Sequence, residues 1–593
     1  MAQPHGDTVP QKQPLYTSVK GRKPQVMNNM GGYVFKLDDM KRLLRFIIMG
    51  SEGGSYYVKE RELKRENVSC IDKLISDGRG VEVVQTIKEV SVNRRNVKQN
   101  SLMLAYAICA RSNEKDTKKA AYALLSEICR IPTHLFMFIK YCEQESRVED
   151  TDSGTGWGRA HKRAVGKWYT SFDKDPLKLA RLVTKFKNRE NWSHKDVLRL
   201  AHTSTDDKAV GFILRYITKG LDKAREMYLQ NPSDMDQAEA DKLSKLENLI
   251  RIFDSAINIT NEDHLCSMIK EYHLTWEQCN SELLKSKKVW ITLLPHMPIE
   301  ATIRNLGRMT SYGMFAENSE DEQMVLDKIH SINTLSETPM EVTEQAEGME
   351  VDNPLPEEGQ GEARGKRKNV LHPFKVLLAL ITYKTGHGDK GSLSWTPNKR
   401  IMEALDRAFY QAFETVEPTG KKYYLAVDVS GSMSQPVLGS TNIHCATAAA
   451  AMLMVTARTE NDCIIKGFSH KLVDIGVDVT DSIDIVQKKM DQIPMGGTDC
   501  AKPMFDAMES KIKDIDVFIV YTDNETWFGN VHPCEALRQY RNYSERKYAK
   551  LIVCGMCSTE FTIADQDDPN MLDVVGFDSA APRLISEFAM NKI

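Results

Sequence analysis

The spacing of apolar residues changes once along this chain, and that change limits the folds open to it. From about residue 38 to 332, apolar residues recur at three- and four-residue intervals within short segments separated by turns. That spacing places apolar side chains on one face of a helix. The pattern resumes between 372 and 413, and Pro418-Thr419-Gly420 then marks a boundary. We therefore predict a helical domain over residues 31–416 and a second domain over 417–593.

The two domains are predicted to have different architectures. Consecutive amphipathic helices with almost no strand-like alternation are typical of antiparallel helix pairs stacked in a repeat, so a HEAT-like solenoid is predicted first. In the second domain, apolar runs alternate with helical patterns, which predicts an α/β fold with a doubly wound, largely parallel sheet. Its strands are predicted at 422–429, 463–468, 516–522 and 550–555, and its helices at about 443–458, 482–491, 500–512, 534–545 and 580–591.

Two segments have compositions that do not favour a packed core. Residues 1–30 are polar and contain four prolines, and we predict a disordered tail there. Between residues 336 and 363 lie nine acidic residues and no basic one, with proline, glycine and glutamine making up much of the rest. We predict a flexible acidic loop at this position, within the helical domain.

Overall composition narrows the class of protein. The formal net charge is -3, so the total charge does not indicate a nucleic-acid partner. No stretch approaches the ~18 uninterrupted apolar residues of a membrane span, and the first residues lack an apolar signal region, so we expect no membrane association. Twelve cysteines are scattered as reduced thiols would be, and Cys554-Gly-Met-Cys557 is interpreted as core thiols. We expect a cytoplasmic location with a nuclear pool.

Oxygen-bearing side chains stand where predicted strands and turns end. Asp428, Ser430 and Ser432 occupy alternate positions directly after one apolar run, Thr498 follows a Gly-Gly turn, and Asp523 ends another apolar run. The carboxyl ends of parallel strands meet at one edge of a sheet, where ligands bind. Hard oxygen ligands suit a divalent cation such as Mg²⁺. We predict one metal site from these five residues; the alternative is a set of unrelated strand-end turns.

Basic residues are concentrated in one window of the helical domain. Residues 153–219 carry fifteen Lys and Arg against six Asp and Glu, a local net charge of +9. On three successive predicted helices the cations recur at three- and four-residue spacings. The predicted RNA-binding cations of these helices are Arg159, Lys162, Arg163 and Lys167, then Lys178, Arg181, Lys185 and Arg189, then Lys195 and Arg199. Stacked side by side, these rows would form a positive surface that tracks phosphates, whereas the alternative is three unrelated solvated faces.

Several motifs carry a resemblance to known families. They are Gly50-Ser-Glu-Gly-Gly-Ser-Tyr-Tyr57, Cys129-Arg-Ile-Pro-Thr-His-Leu-Phe136, Trp192-Ser-His-Lys-Asp196, Tyr383-Lys-Thr-Gly-His-Gly388 and Phe561-Thr-Ile-Ala-Asp565. On these motifs the chain resembles the TROVE-module family of Y-RNA-binding ribonucleoproteins, over about residues 31 to 593. The five predicted metal residues, in their order, resemble the metal-ion-dependent adhesion site (MIDAS) of von Willebrand factor A domains.

The TROVE resemblance implies a fold and a mode of RNA binding. It implies a HEAT-repeat ring whose ends are joined by the von Willebrand factor A-like domain. Separately, we expect the ring to be monomeric. It implies that Y RNA docks on the basic outer surface. Single-stranded ends of misfolded non-coding RNAs, such as defective 5S rRNA or snRNA precursors, would enter a central hole in RNA quality control. At matching positions, His194 and Lys195 are expected to contact RNA together with Arg159, Arg163 and Lys167. The segment from Arg130 to Tyr141 is a second candidate, because His134 and Lys140 flank its apolar run.

The MIDAS resemblance implies how the metal would be held. The serine and threonine hydroxyls would approach the cation, the aspartates would act mostly through water, and the carboxylate of an acidic protein partner would complete the coordination. The leading interpretation is a non-catalytic RNA-binding protein of a small ribonucleoprotein. The alternative is a metal-dependent protein-interaction module with the helical domain as its scaffold. An enzyme is not expected, because we find no Walker A motif and no convincing pair of general acid and base.

Overall fold

The structure is a computed structural model of the chain, and it describes residues 9–15, 24–51, 60–148, 156–230, 236–332, 371–388, 392–413, 416–437, 442–494 and 496–593. The predicted acidic loop lies outside these residues. The helices before residue 416 are α1 (Asp39–Met49), α2 (Glu60–Ser76), α3 (Gly80–Val92), α4 (Asn100–Arg111), α5 (Lys115–Ala123), α6 (Leu125–Ile128), α7 (Pro132–Val148), α8 (Arg159–Thr170), α9 (Pro176–Lys185), α10 (His194–Ala201), α11 (Lys208–Lys219), α12 (Leu221–Tyr228), α13 (Gln237–Asn258), α14 (Glu262–Tyr272), α15 (Lys287–Leu293), α16 (Ile299–Ser311), α17 (Glu320–His330), α18 (Pro373–Thr385) and α19 (Lys399–Gln411). Among these described helices, none combines the length and apolarity needed to cross a membrane.

The helices pack on their neighbours along the chain, and the run returns to its start. Helix α1 packs on α2, α3 and α4, and the contacts continue through α8, α10 and α11 to α13, while α16, α17, α18 and α19 form a second packed series. After α13, Asn280 Nδ2 donates to the Ile259 carbonyl oxygen at 3.0 Å. At the beginning of α18, the side chain of His372 closes the circuit. Its Nε2 lies 2.9 Å from the carbonyl oxygen of Arg95, in the turn between α3 and α4. The predicted helical fold of the first domain is confirmed.

The remaining elements belong mostly to the second domain. The strands are β1 (Gln25–Met27), β2 (Tyr33–Lys36), β3 (Asn188–Arg189), β4 (Trp192–Ser193), β5 (Lys422–Asp428), β6 (Asp462–Phe468), β7 (Leu472–Val473), β8 (Val517–Thr522), β9 (Lys550–Gly555), β10 (Phe561–Thr562) and β11 (Met571–Val575). The helices are α20 (Cys445–Thr459), α21 (Ile483–Asp491), α22 (Lys502–Glu509), α23 (Pro533–Ser544) and α24 (Ala581–Ala589). The four predicted strands and five predicted helices are all present, with bounds shifted by a few residues.

A six-stranded sheet forms the centre of the second domain. Its order is β11-β9-β8-β5-β6-β7, and every pair is parallel except β6 with β7. All residues of β8 and β9 are buried, as expected where both faces of a parallel sheet are covered by helices. Helices α20 and α24 cover one face and α22 and α23 the other. The predicted doubly wound α/β fold is confirmed; strand β11 was missed because Asp573 interrupts its apolar run.

One face of this sheet shares a hydrophobic core with the helical domain. Phe374 at the start of α18 packs against Phe577 after β11, with ring centroids 5.0 Å apart. Apolar surface buried between two domains favours a fixed arrangement, at about 25 cal/mol per Å² removed from water. The helical domain is therefore packed directly on the sheet.

Two arginines of the helical domain bind carboxylates at the edge of the sheet. Arg45 of α1 is fully buried, pairs with Asp573 of β11 and donates to the carbonyl oxygen of Phe561 at 2.8 Å. Arg95 forms a two-pronged pair with Asp578, with Nε–Oδ1 at 3.1 Å and Nη2–Oδ2 at 2.5 Å. Because Arg45 and Arg95 lie near the start of the helical domain, these pairs join that start to the second domain.

The predicted disordered tail over 1–30 is wrong for the stretches 9–15 and 24–30. Strand β1 pairs with β2, and β2 pairs with β10 of the second domain, which gives a three-stranded antiparallel sheet. Gln11 is fully buried, and its Nε2 donates to Asp499 Oδ1 at 2.7 Å. Polar composition suggested disorder here, but these residues are held by hydrogen bonds to the second domain rather than by an apolar core of their own.

Candidate functional site

Four of the five predicted metal residues converge at the carboxyl ends of β5 and β8. Asp428 ends β5, and its Oδ1 accepts a hydrogen bond from the Ser430 backbone N–H at 2.9 Å. The hydroxyls of Ser430 and Ser432 lie 3.1 Å apart on the tight turn that follows. Asp523 follows β8, and its Oδ1 accepts from the Glu525 backbone N–H at 3.0 Å. The nearby Ser432 hydroxyl lowers the pKa of Asp523, and the charge of Asp523 raises the pKa of Asp428, so the groups lie close together. The two carboxylates and two hydroxyls therefore form one buried cluster.

The fifth predicted metal residue, Thr498, is held beside this cluster by backbone contacts. Its carbonyl oxygen accepts from the N–H groups of Trp527 and Phe528, at 3.1 and 3.0 Å, on the loop after Asp523. The preceding Gly497 is packed against Trp527, since a Cβ at this glycine would come within 2.9 Å of the indole ring. Thr498 is thus buried at the same edge of the sheet as the other four residues.

The charge of the cluster fits a divalent cation. Burial raises the pKa of Asp428 and of Asp523, and the charge of Asp523 raises the pKa of Asp428 further. Within the described structure, Asp523 Oδ2 is buried without a hydrogen-bond partner. Two buried carboxylates with an unused oxygen, beside two hydroxyls, supply the hard donors that Mg²⁺ prefers. Among the described residues, no group of three or more His, Cys, Asp or Glu is placed to hold a metal, so the donors of this site are two carboxylates and hydroxyls.

The N-terminal segment supports this edge of the sheet, which sequence reasoning missed. Asn29 Nδ2 donates to Glu525 Oε1 at 2.5 Å, and Asn28 Nδ2 donates to the Thr526 carbonyl oxygen at 2.8 Å. Gly32 lies so close that an added Cβ would fall 1.9 Å from the same Thr526 oxygen. These residues hold the loop that follows Asp523. Nothing in their sequence marks them, because amides in a proline-containing polar segment are equally typical of disorder.

The three basic helices form as their sequences predict. Asp175 caps α9 by accepting from the Lys178 N–H at 3.0 Å, and Pro176 occupies the first helical position. Ser193 and Asp196 form a reciprocal capping box at the start of α10. Helix α8 buries the face that carries Trp168, and α9 buries the face that carries Leu179. The basic rows therefore lie on the opposite, outer faces.

The exposure of the predicted cations follows this arrangement. The exposed side chains are Arg159, Arg163 and Lys167 of α8, Arg189 of β3, and Lys195 and Arg199 of α10. The half-buried ones are Lys162, Lys178, Arg181, Lys185 and, on α7, Lys140. Helix α8 packs on α10, so the first and third rows lie on adjacent helices.

Most of these cations have no acidic partner. Among the described residues, the structure contains no ion pair for Arg159, Lys162, Arg163, Lys167, Lys178, Arg181, Lys185, Lys195 or Arg199. The two exceptions, Lys140 and Arg189, both pair with Glu190, at 2.5 and 3.4 Å. Of the three helices, α8 and α10 pack on each other, whereas α9 packs on α11 and α13. Cations without carboxylates cost electrostatic free energy in the free protein, and an anionic ligand would recover it. We call these nine cations the basic surface.

Two predicted RNA contacts are corrected by the structure. His194 is buried, with Nδ1 at 2.8 Å from the Tyr169 hydroxyl and Nε2 at 3.0 Å from the Phe186 carbonyl oxygen. Those partners lie in α8 and at the end of α9, so His194 fixes α8, α9 and α10 relative to one another. His134 is also buried, within α7. Both histidines are structural residues here, whereas Lys195 and Lys140 remain accessible candidates.

Comparison with known proteins agrees with both parts of the fold. A family model described as the TROVE domain matches residues 26–421, and one described as the Ro60 vWA domain matches residues 422–589. The chain belongs to the Ro60 family of TROVE-domain proteins. The matched ranges place the domain boundary at 421/422, close to the predicted 416/417. The first range contains the whole basic surface and the second contains all five predicted metal residues.

Related proteins of the Ro60 family match nearly the full chain. The RNA-binding protein RO60 of Caenorhabditis elegans is 34% identical over 97% of this chain and 91% of its own length. The protein of the same name from Deinococcus radiodurans is 31% identical over 96% of both chains. The crystal structure of the Deinococcus radiodurans RO (RSR) protein matches with a TM-score of 0.61 and 30% identity, covering 94% of this chain and 100% of that one.

Proposed function

We propose that this Ro60-family chain is the non-catalytic RNA-binding protein of a small ribonucleoprotein and grips Y RNA on its basic surface. The observation that carries the proposal is the set of nine cations on α8, α9 and α10 that lack acidic partners among the described residues. An ordinary solvated surface pairs its cations with acids, as Glu190 in the turn after β3 does with Lys140 of α7. Two full-length relatives bear the name RNA-binding protein, which supports the same conclusion.

The form of the surface indicates how RNA would be held. Cations fixed on adjacent helices contact phosphates, which gives affinity without reading sequence. Sequence-dependent contacts to RNA are expected at loops and ends, where bases are unstacked. Trp192, half-buried beside Trp157 with ring centroids 5.5 Å apart, lies next to the third basic row and offers a stacking face there. The proposal extends to the single-stranded ends of misfolded non-coding RNAs, which would enter the ring bounded by the closed circuit of helices, in the cytoplasm and a nuclear pool.

A salt titration tests the proposal. Binding of a Y-RNA stem-loop is measured by fluorescence anisotropy between about 50 and 200 mM salt for the normal chain and for Arg163→Ala/Lys167→Ala. Losing two phosphate contacts should lower the slope of log K against log salt by about 1.4–1.8 in magnitude. The matched control is Lys270→Ala/Lys488→Ala, which removes two exposed lysines outside the basic surface. An unchanged slope, or an equal change in the control, contradicts the proposal.

A second role is supported by the buried carboxylates at the sheet edge. We propose that Asp428, Ser430, Ser432, Thr498 and Asp523 hold Mg²⁺, with Asp523 Oδ2 available to a metal-bound water. When bound, the ion would offer an open position to the carboxylate of an acidic protein partner. In this proposal the second domain docks proteins, while the helical domain binds RNA.

A further inference from the structure

A cavity of about 310 Å³ lies at the end of the sheet opposite the metal residues. It is lined by residues 421, 516, 545–550, 589 and 591, which lie at the amino ends of β5, β8 and β9 and at the end of α24. Asp428 and Asp523 follow the carboxyl ends of the same strands. The cavity is therefore separate from the metal site, and none of its lining residues belongs to the basic surface.

The walls of the cavity carry an excess of positive charge. They contain four basic side chains, Lys421, Arg546, Lys547 and Lys550, against two acidic ones, Asp516 and Glu545. Asp516 is already engaged, because it pairs with Arg546 and accepts the Lys422 backbone N–H at 3.0 Å. Within the described structure, Lys421, Lys547 and Lys550 have no carboxylate partner.

Lys550 is the most unusual of these residues. It is 4% exposed, its Nζ donates to the Phe588 carbonyl oxygen, and it lies 4.3 Å from the centre of the Phe588 ring. Burial lowers the pKa of Lys550, and the neighbouring charge of Lys421 lowers it further. A buried ammonium beside a second cation and without a carboxylate is costly, and a bound anion would offset that cost.

An aromatic ring stands at the mouth of the cavity. Tyr548 is 78% exposed, more than any other large hydrophobic side chain in the part of the chain that the structure describes. It lies between Lys547 and Ala549 in the lining. Aromatic rings held beside cationic side chains are typical of sites that stack a nucleobase while binding its phosphate. The cavity volume lies at the lower end of the range for small-ligand sites, roughly 300–1,000 Å³.

We propose that this cavity binds a nucleoside phosphate. Lys421, Lys547 and Lys550 would take the phosphate, and Tyr548 would stack on the base. The same chemistry is offered by a free nucleoside monophosphate and by the 5′-phosphorylated end of single-stranded RNA. This site is additional to the proposed RNA-binding function. Its test does not depend on whether the basic surface binds RNA.

Calorimetry on the full chain tests the site with AMP, adenosine and inorganic phosphate as probes. AMP should bind about tenfold more tightly than either fragment, since it alone satisfies both the cations and the ring. Lys421→Glu/Lys547→Glu should weaken AMP binding at least about tenfold, and Tyr548→Ala about fivefold or more. All three residues are accessible, so the variants should keep the melting temperature of the normal chain. Lys488→Glu, which changes an exposed lysine of α21 that does not line the cavity, is the control and should have no effect.

Two further probes distinguish the sources of the phosphate. A hexauridine with a 5′-phosphate is compared with its 5′-hydroxyl form in an Arg163→Glu/Lys167→Glu background, which suppresses binding to the basic surface. A preference for the phosphorylated strand that is lost in Lys421→Glu/Lys547→Glu supports the RNA end. Equal binding of both strands, with AMP binding retained, supports the free nucleotide. Absence of saturable AMP binding at millimolar concentration, or AMP binding that the cavity variants leave unchanged, overturns the proposal.

Discussion

Replacing Arg45 by methionine should destabilise the joint between the two domains. Arg45 is fully buried, pairs with Asp573 and donates to the carbonyl oxygens of Thr559 and Phe561, at 3.1 and 2.8 Å. Methionine fills similar volume but leaves a buried carboxylate without its partner and two carbonyl groups without donors. Removing one member of a buried ion pair costs about 3–5 kcal/mol, which corresponds to a melting temperature about 10 °C lower for a domain of this size.

The pH dependence of the stability of Arg45→Met is a second test of the same ion pair. Burial raises the pKa of Asp573 above its ordinary value, although the charge of Arg45 opposes that shift. Without Arg45, the pKa should rise further. A group whose pKa is higher in the folded state contributes most stability below its unfolded pKa and loses it as pH rises through the folded value. The deficit of Arg45→Met should therefore be smaller at pH 5 than at pH 8.

Differential scanning calorimetry at both pH values measures the effect. Arg583→Met, which removes an arginine that is 74% exposed and paired with Glu587, is the matched control and should change stability by less than about 0.5 kcal/mol. Arg45→Met/Asp573→Leu should recover much of the loss, because an apolar pair replaces a broken ion pair. If Arg45→Met melts within about 2 °C of the control, the argument from burial is refuted.

Three other outcomes follow from the structure. Mg²⁺ at one hundred times its Kd should raise the free energy of unfolding by about 2.7 kcal/mol and so raise the melting temperature. Calorimetry with and without EDTA measures this shift, and Asp428→Ala should abolish it. Burial lowers the pKa of His194 to about 3. Below pH ~6.5, therefore, His194 binds a proton in the unfolded chain but not in the folded one. The free energy of unfolding should fall by about 1.4 kcal/mol per pH unit between there and pH 3. His194→Gln should show a shallower fall between pH 7 and pH 5 in thermal melts. Glu190→Gln should tighten RNA binding and steepen its salt dependence by about 0.7–1.8, because Lys140 and Arg189 lose their shared carboxylate.

Each of these outcomes has a result that contradicts it. A thermal shift that survives Asp428→Ala would place the metal elsewhere. Parallel pH profiles for the normal chain and His194→Gln would mean that His194 is protonated in the folded state. The control for Glu190→Gln is Glu226→Gln, which removes an acid paired with Lys223 outside the basic surface. Equal RNA affinities for these two variants would show that the cations beside Glu190 do not contact RNA.

Elements with a strong local pattern could be predicted from the sequence. Asp428 ends one apolar strand and Asp523 directly follows another, so both the parallel sheet and the meeting of these side chains follow from periodicity. The outer placement of Arg163 and Lys167 follows equally from the helical repeat of α8. In these cases the position of a side chain depends only on the residues of its own element.

The position of a buried polar residue depends on partners far away in sequence. The Trp192-Ser-His-Lys motif makes His194 an expected RNA contact, but its environment is set by Tyr169 and Phe186 on other helices. Gln11 reaches a residue 488 positions away, and Arg45 one 528 positions away. No local pattern records such pairs, because a polar side chain in a helix or tail is compatible with solvent, ligand or a buried hydrogen bond.

These buried polar residues have a common consequence for function. Cations act together on a phosphate backbone only if their helices keep fixed positions, and His194 supplies that constraint for α8, α9 and α10 through both ring nitrogens. In the same way, Asn28 and Asn29 hold the loop after Asp523, although neither residue lies among the metal ligands. A substitution at His194 should therefore weaken RNA binding even though its side chain is inaccessible to RNA. The loss should resemble that of several surface cations at once, because one buried contact positions all three rows.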